Sequence, residues 1–246
     1  RLRSRGLGDV YKRQVVMGHG GCGKTTLVEA IAYQTGITAR MGKVTDGNTI
    51  SDYDKEEQKR QFSISTSVVP VEFEDIKINF LDTPGYFDFV GEVEEACHAA
   101  GAAVIVINGK SGVEVGTLKA WELCEKYKLP RLFFVTGMDD DQASYRKIVL
   151  ELNDRFGRKV APFHVPIREN EKFVGFVNVV KMKGRRFIND TSEYEECDIP
   201  DYMDKHLNIS RDALVEAVAD TSEELMERYF AGEESVSYTH LRAHET

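Results

Sequence analysis

The chain has one tryptophan, four cysteines, and too few basic residues to balance its acidic ones. Each shortage excludes something. Cys22, Cys97, Cys124 and Cys197 show no C-x-x-C spacing. That excludes the common zinc and disulfide frameworks and predicts reduced thiols in a cytoplasmic protein. No apolar run approaches the roughly 20 residues that a membrane span needs, so no membrane partner is expected. There is no internal repeat and no low-complexity tract. The 32 Lys and Arg against 41 Asp and Glu give a net charge of −9. A balance of that sign carries no general nucleic-acid footprint, and DNA is not an expected partner. The acidic runs (Glu92, Glu94, Glu95; Asp139 to Asp141; Glu193, Glu195, Glu196) read as solvated faces, and the single Trp121 as a packing anchor on a helix.

The two ends read as DNA adapter rather than protein. Asp9–Gln14, D-V-Y-K-R-Q, can be encoded by GAT GTG TAT AAG AGA CAG. Val236–Leu241, V-S-Y-T-H-L, can be encoded by the reverse complement of the same DNA. An inverted adapter at both ends of a sequenced fragment has that property. Residues 1–14 and 236–246 are therefore expected to be adapter-derived, not native, and are set aside from fold reasoning. They hold six of the basic and two of the acidic residues, so the remainder carries 26 against 39, a balance of −13. Roughly 220 residues are ample for an α/β domain with a real core.

Apolar runs alternate with helical patterns, the signature of an α/β fold. Strands are predicted at 14–17, 67–73, 76–81, 103–108 and 132–136, and helices at 24–34, 90–100, 115–127 and 143–156. A long polar stretch without periodicity fills 35–66, and loops of that length are usually functional or mobile. Beyond residue 158 the pattern changes. Alternation over 172–182 followed by Lys183-Gly184-Arg185-Arg186 reads as a hairpin and its turn, and one helix is predicted over 211–230 with Ser210 as N-cap.

The most informative stretch is Gly18-His19-Gly20-Gly21-Cys22-Gly23-Lys24-Thr25, which fits G-x-x-x-x-G-K-[ST] between a strand and a helix. The four glycines let backbone N–H groups face a phosphate that side chains would block. The opening helix adds its positive dipole end. Lys24 is expected to reach the terminal phosphates, and Thr25 to ligate Mg²⁺; Thr26 follows in the first turn. Because Cys22 lies inside this loop, its modification would block a nucleotide.

Asp82-Thr83-Pro84-Gly85 ends a later strand, where P-loop GTPases carry D-x-x-G. There the Asp holds Mg²⁺ and the Gly N–H contacts the γ-phosphate. Ser63, before a strand inside the polar stretch, is the candidate for a switch hydroxyl on Mg²⁺. At the end of a further strand a guanine reader would present Asn-Lys-x-Asp. The chain has Thr136-Gly137-Met138-Asp139, so only Asp139 fits.

Together these elements resemble the GTPase domain of the translational GTPases, most closely elongation factor G and its bacterial paralogues. The resemblance also rests on Asp88-Phe89, on Gly109-x-x-Gly112-Val113, and on Gly112–Thr117 against the family's G-V-E-x-Q-T, with Gly116 where Gln is usual. Pro166-Ile167 through Gly175 and Lys181 is similar to the elongation factor G insert, P-I-G-x-E-x-x-F-x-G. The resemblance implies a P-loop NTPase three-layer sandwich with a mostly parallel sheet (residues 15–158) and a small, truncated α+β insert (159–235). It implies GTP and Mg²⁺ as ligands, hydrolysis of GTP, the ribosome as partner, and a monomer. The nucleotide-binding set is Gly18, His19, Gly20, Gly21, Cys22, Gly23, Lys24, Thr25, Thr26, Asp82, Pro84, Gly85, Thr136 and Asp139. On this reading Thr25, Ser63 and Asp82 would hold the metal, and Lys24, Gly85 and Tyr86 would be the catalytic set.

The departures matter equally. Tyr86 stands where the family's His orients the attacking water, and a phenol is a weak base at neutral pH. Arg60-Gln61-Phe62-Ser63 stands where the family has R-G-I-T. Slow intrinsic hydrolysis is expected, stimulated by the ribosome. A non-catalytic GTP-dependent ribosome-binding switch and a ribosomal-protection paralogue of the tetracycline-resistance type remain open. The run Lys181, Lys183, Arg185 and Arg186 reads as a solvated hairpin tip, with contact to ribosomal RNA as the alternative.

Overall fold

Strand β1 (Arg13–Gly18) runs through the centre of the first sheet. The computed structural model describes residues 12–74, 76–157, 160–170, 172–188, 193–220 and 222–231. Residues 1–11 and 236–246 of the expected adapter segments lie outside these. Arg13 and Gln14 do not: they form the first rungs of β1, opposite Asn79 and Phe80. Ladder pairing uses backbone groups and tolerates any side chain but proline.

The chain divides into two compact units, residues 1–137 and 138–246. In the first, β2 (Ser67–Phe73), β3 (Ile76–Asp82), β4 (Ala102–Asn108) and β5 (Arg131–Thr136) join β1 in the order β2-β3-β1-β4-β5. All pairs are parallel except β2 with β3. Pro70 sits in β2, an edge strand, where a missing N–H is tolerated.

Alternation along the central strands sends side chains to two cores. Val15, Met17, Ala103 and Ile105 face α3 (Val90–Ala99) and α4 (Val115–Tyr127), meeting Ala96, Cys97, Ala120 and Cys124. Val16, Val104 and Val106 face α1 (Lys24–Gln34), meeting Val28 and Ala32. A strand buried on both faces needs an unbroken apolar run, and β4 supplies Val104-Ile105-Val106-Ile107. The expected three-layer sandwich is present, and the predicted strands of this unit and its predicted helices match within one residue at each end.

The polar stretch holds a short helix that its lack of periodicity hides, α2 (Lys55–Arg60). Asp54 and Glu57 form a capping box at its start.

The second unit begins with α5 (Tyr145–Phe156) and an antiparallel sheet in the order β6 (His164–Glu169), β7 (Lys172–Asn178), β8 (Lys183–Phe187), β9 (Tyr194–Cys197). Val165, Ile167 and Val177 pack against Leu207 and Leu214 of α6 (Asp204–Ala219). This is the small α+β part that the sequence implied.

Two expectations are corrected here. Residues 183–186 are not a turn but the body of β8, and the turn spans 179–182, where Asn178 Oδ1 accepts the Lys181 N–H at 2.8 Å. Of the basic run, Lys181 lies exposed in that turn while the rest lies in the strand: Lys183 pairs with Glu196 at 2.7 Å, Arg186 with Glu169, and Arg185 lies over the Tyr194 ring. The predicted helix over 211–230 is two helices, α6 and α7 (Glu223–Phe230), with Ser210 mid-helix and Ser222 capping α7 through the Leu225 N–H at 3.2 Å.

Candidate functional site

The loop from Gly18 to Thr25 needs its glycines. A Cβ on Gly18 would clash with the Val106 carbonyl oxygen and crowd Cys22 Sγ, and Gly21 and Gly23 take φ of 76° and 95°. Those left-handed conformations turn the chain so that α1 starts directly from the loop. No side chain caps α1 and its first turn holds no acidic residue, so its leading N–H groups form a donor set for an anion. Lys24, 6% exposed, folds into the loop and donates to the carbonyls of Gly18 (3.2 Å) and His19 (2.9 Å). Cys22 is fully enclosed, and burial pushes its thiol up against the pull of Lys24.

Neighbouring elements fix the loop. Thr136 Oγ1 donates to the Cys22 carbonyl at 2.7 Å from the end of β5. His19 Nδ1 accepts the Gly116 N–H at 3.3 Å, its Nε2 lies 3.6 Å from Glu114 Oε1, and its ring faces Phe87 at 6.2 Å. A Cβ on Gly116 would fall inside the His19 backbone, so the small residue lets α4 touch the loop.

Asp82-Thr83-Pro84-Gly85 lies against the loop. The Thr83 hydroxyl donates to the Val16 carbonyl at 2.7 Å, Pro84 is buried, and a Cβ on Gly85 would overlap Lys24 Nζ. Tyr86 lies with its ring over Gly20 and 4.8 Å from the Phe62 ring, about half exposed. Thr26 is exposed in the first turn of α1.

Five polar side chains converge beside Lys24. Thr25 Oγ1 lies 3.2 Å from Ser63 Oγ, which donates to Asp52 Oδ1 at 2.7 Å. Ser51 Oγ donates to Asp82 Oδ2 at 2.8 Å. Both carboxylates are buried, and each keeps one oxygen without a partner among the described residues, Asp52 Oδ2 and Asp82 Oδ1. Burial pushes Asp82 from 3.8 up to about 6; Asp52 adds to this, while the Ser51 and Thr25 hydroxyls and Lys24 oppose it. Burial and, less strongly, Glu57 raise Asp52, against hydrogen bonds from Ser63 and Thr49. Two buried carboxylates with orphaned oxygens beside three hydroxyls fit a hard divalent cation of the Mg²⁺ type, which needs only one or two carboxylates alongside phosphate oxygens and water.

Sequence reasoning named Thr25, Ser63 and Asp82, which the structure brings together. It missed Ser51 and Asp52. It also missed the buried Glu29 and Glu57, whose carboxylates hold the polar stretch. Glu29 accepts the Gly42 and Ile50 N–H groups at 2.8 and 2.7 Å; Glu57 accepts those of Ile64 and Ser65 at 2.8 and 3.1 Å. Only the Asp54-x-x-Glu57 capping box was visible as a signal. Asp139 is exposed in the turn that opens the second unit.

A family model described as the elongation factor Tu GTP binding domain matches residues 11–241. A crystal structure of a Thermus thermophilus protein is 36% identical, with a TM-score of 0.85 over 92% of this chain and 34% of that one. The present chain thus spans about a third of that protein's length.

Proposed function

The chain belongs to the elongation factor Tu GTP-binding-domain family, and from that premise we propose that it binds GTP with Mg²⁺ and hydrolyses GTP slowly on its own and faster on the ribosome. It serves as the nucleotide domain (15–158, with the insert 159–235) of a translation factor of the elongation factor G type. The reading takes it as a cytoplasmic monomer. The convergence of Thr25, Ser63, Asp52 and Asp82 beside Lys24, with two buried carboxylate oxygens left over, carries this reading.

Each residue has a task in it. The loop N–H groups and Lys24 neutralise the phosphate tail. Thr25, Ser63 and Asp82 would hold Mg²⁺, with Asp52 orienting Ser63. Bound there, the ion neutralises charge on the terminal phosphates, the main requirement of phosphoryl transfer. Gly85 offers its N–H to the γ-phosphate. Tyr86, positioned by Phe62 and Gly20, hydrogen-bonds the attacking water without removing its proton. Asp139 accepts the guanine N–H groups.

The phenol at residue 86 also favours a second reading, a GTP-dependent ribosome-binding switch without useful turnover. Phosphate release with and without ribosomes separates the two. Stimulation by ribosomes, with a further gain in Tyr86→His, supports the enzyme. No release above background in either protein, with GTP-dependent ribosome binding retained, supports the switch. If Tyr86→His leaves ribosome-stimulated turnover unchanged, the catalytic deficit assigned to Tyr86 is wrong.

A further inference from the structure

The guanine signature is broken at Thr136 and Gly137, so Asp139 lacks the usual companions. Thr136 commits its hydroxyl to the phosphate loop, and Gly137 has no side chain and a φ of 63°. Within the second unit, a different residue grips the segment around Asp139. Arg168 Nη2 donates to the Met138 carbonyl at 2.6 Å and to the Asp140 carbonyl at 3.2 Å. The first carbonyl belongs to the peptide that enters Asp139 and the second to the peptide after Asp140, so one guanidinium spans the segment that carries Asp139. The turn is closed from its far side: Asp140 Oδ1 accepts the Gln142 N–H at 2.8 Å, and the Asp140 carbonyl accepts the Ala143 N–H at 3.0 Å.

Arg168 is itself placed with care. The β6–β7 register shifts between Ile167 and Arg168, an irregularity of the kind that re-aims a side chain. Its carbonyl accepts the Tyr202 hydroxyl at 2.9 Å. Its Nε is buried without a partner among the described residues, a cost that a merely solvated arginine would not bear.

We propose that Arg168 is a positioning residue that holds Asp139 for base recognition, so that strand β6 sets nucleobase selectivity. This rests on the reading of Asp139 as the guanine acceptor. Both bonds leave one terminal nitrogen, Nη2, so a lysine ammonium, which can also donate to two carbonyls, is a partial substitute.

The test is calorimetry on the 246-residue chain with GDP, inosine diphosphate and magnesium tripolyphosphate. Inosine lacks the 2-amino group, one of the two N–H donors for Asp139. The wild type should prefer GDP over inosine diphosphate by about tenfold, the net worth of one such bond. Arg168→Gly should bring the two affinities within about threefold and leave tripolyphosphate binding unchanged. Arg168→Lys should fall between. An unchanged GDP preference in Arg168→Gly overturns the proposal alone. Joint loss of tripolyphosphate and GDP binding in both variants also overturns it, because that marks general support of the fold. A wild type without the preference removes the Asp139 reading, and this proposal with it.

Discussion

Replacing Asp82 by Asn should stabilise the metal-free protein and destabilise the loaded one. Burial raises the Asp82 carboxyl from 3.8 to about 6, so the folded state holds this proton more tightly than the unfolded chain. Stability from this group is complete below the unfolded value and is lost as pH rises through about 6. At pH 8 the ionised carboxylate costs about 3 kcal/mol. Asp82→Asn removes the charge and keeps the shape. It also weakens the bond from Ser51, at a loss of about 1 kcal/mol. The net gain is about 2 kcal/mol, or about 4–8 °C in melting midpoint for a protein of this size. Scanning fluorimetry should therefore show the variant melting higher than wild type in EDTA at pH 8. The advantage should vanish near pH 4, where the wild-type carboxyl is protonated, and reverse in excess Mg²⁺ and GTP. A variant that melts lower than wild type in EDTA at pH 8 refutes the account of an uncompensated buried charge.

Gly116→Ala forces a methyl group into the His19 backbone. Overpacking of that kind costs about 1–3 kcal/mol, less what alanine's helix propensity returns, and chemical denaturation should show a net loss together with weaker tripolyphosphate binding. An unchanged midpoint would mean that α4 does not bear on the loop. The thiols should split: burial pushes Cys97 to about 12 and Cys124 to about 11, and Cys22 is raised and enclosed, while Cys197 is half-buried. Ellman's reagent at pH 8 should label Cys197 promptly and all four thiols only after unfolding; prompt native labelling of Cys22 would contradict the enclosed loop.

What the sequence disclosed and what it withheld follow from the range of the interactions. The central strands were legible because both-face burial demands unbroken apolar runs, and the phosphate loop because its glycines are needed at fixed spacing. The 35–66 stretch was opaque because its order comes from single carboxylates reaching backbone N–H groups far along the chain, Glu29 to Ile50 and Glu57 to Ile64. Such contacts leave no period. Asp52 was missed for the same reason: it reaches the Thr25 hydroxyl only through Ser63. Gly184 signals a turn in the sequence, yet in the fold it sits opposite Cys197 in a strand where a Cβ would crowd that residue's carbonyl. The missed helix break had a local sign, Ser222 before two glutamates, which the apolar period running through it obscured.

Glu29 has a consequence for how this chain can vary. Its two carboxylate oxygens clip both feet of an arch, at Gly42 and Ile50, to the helix that leaves the phosphate loop. Extra residues inserted inside the arch would lengthen a loop that is already closed, and each doubling of its length adds only about 0.6 kcal/mol. Loss of the one carboxylate would instead strand two amide donors at once. Length is therefore free to drift within the arch while the clip is not, and any large swing of the polar stretch has its natural pivot beyond Ile50, on the side that carries Ser51, Asp52 and Ser63.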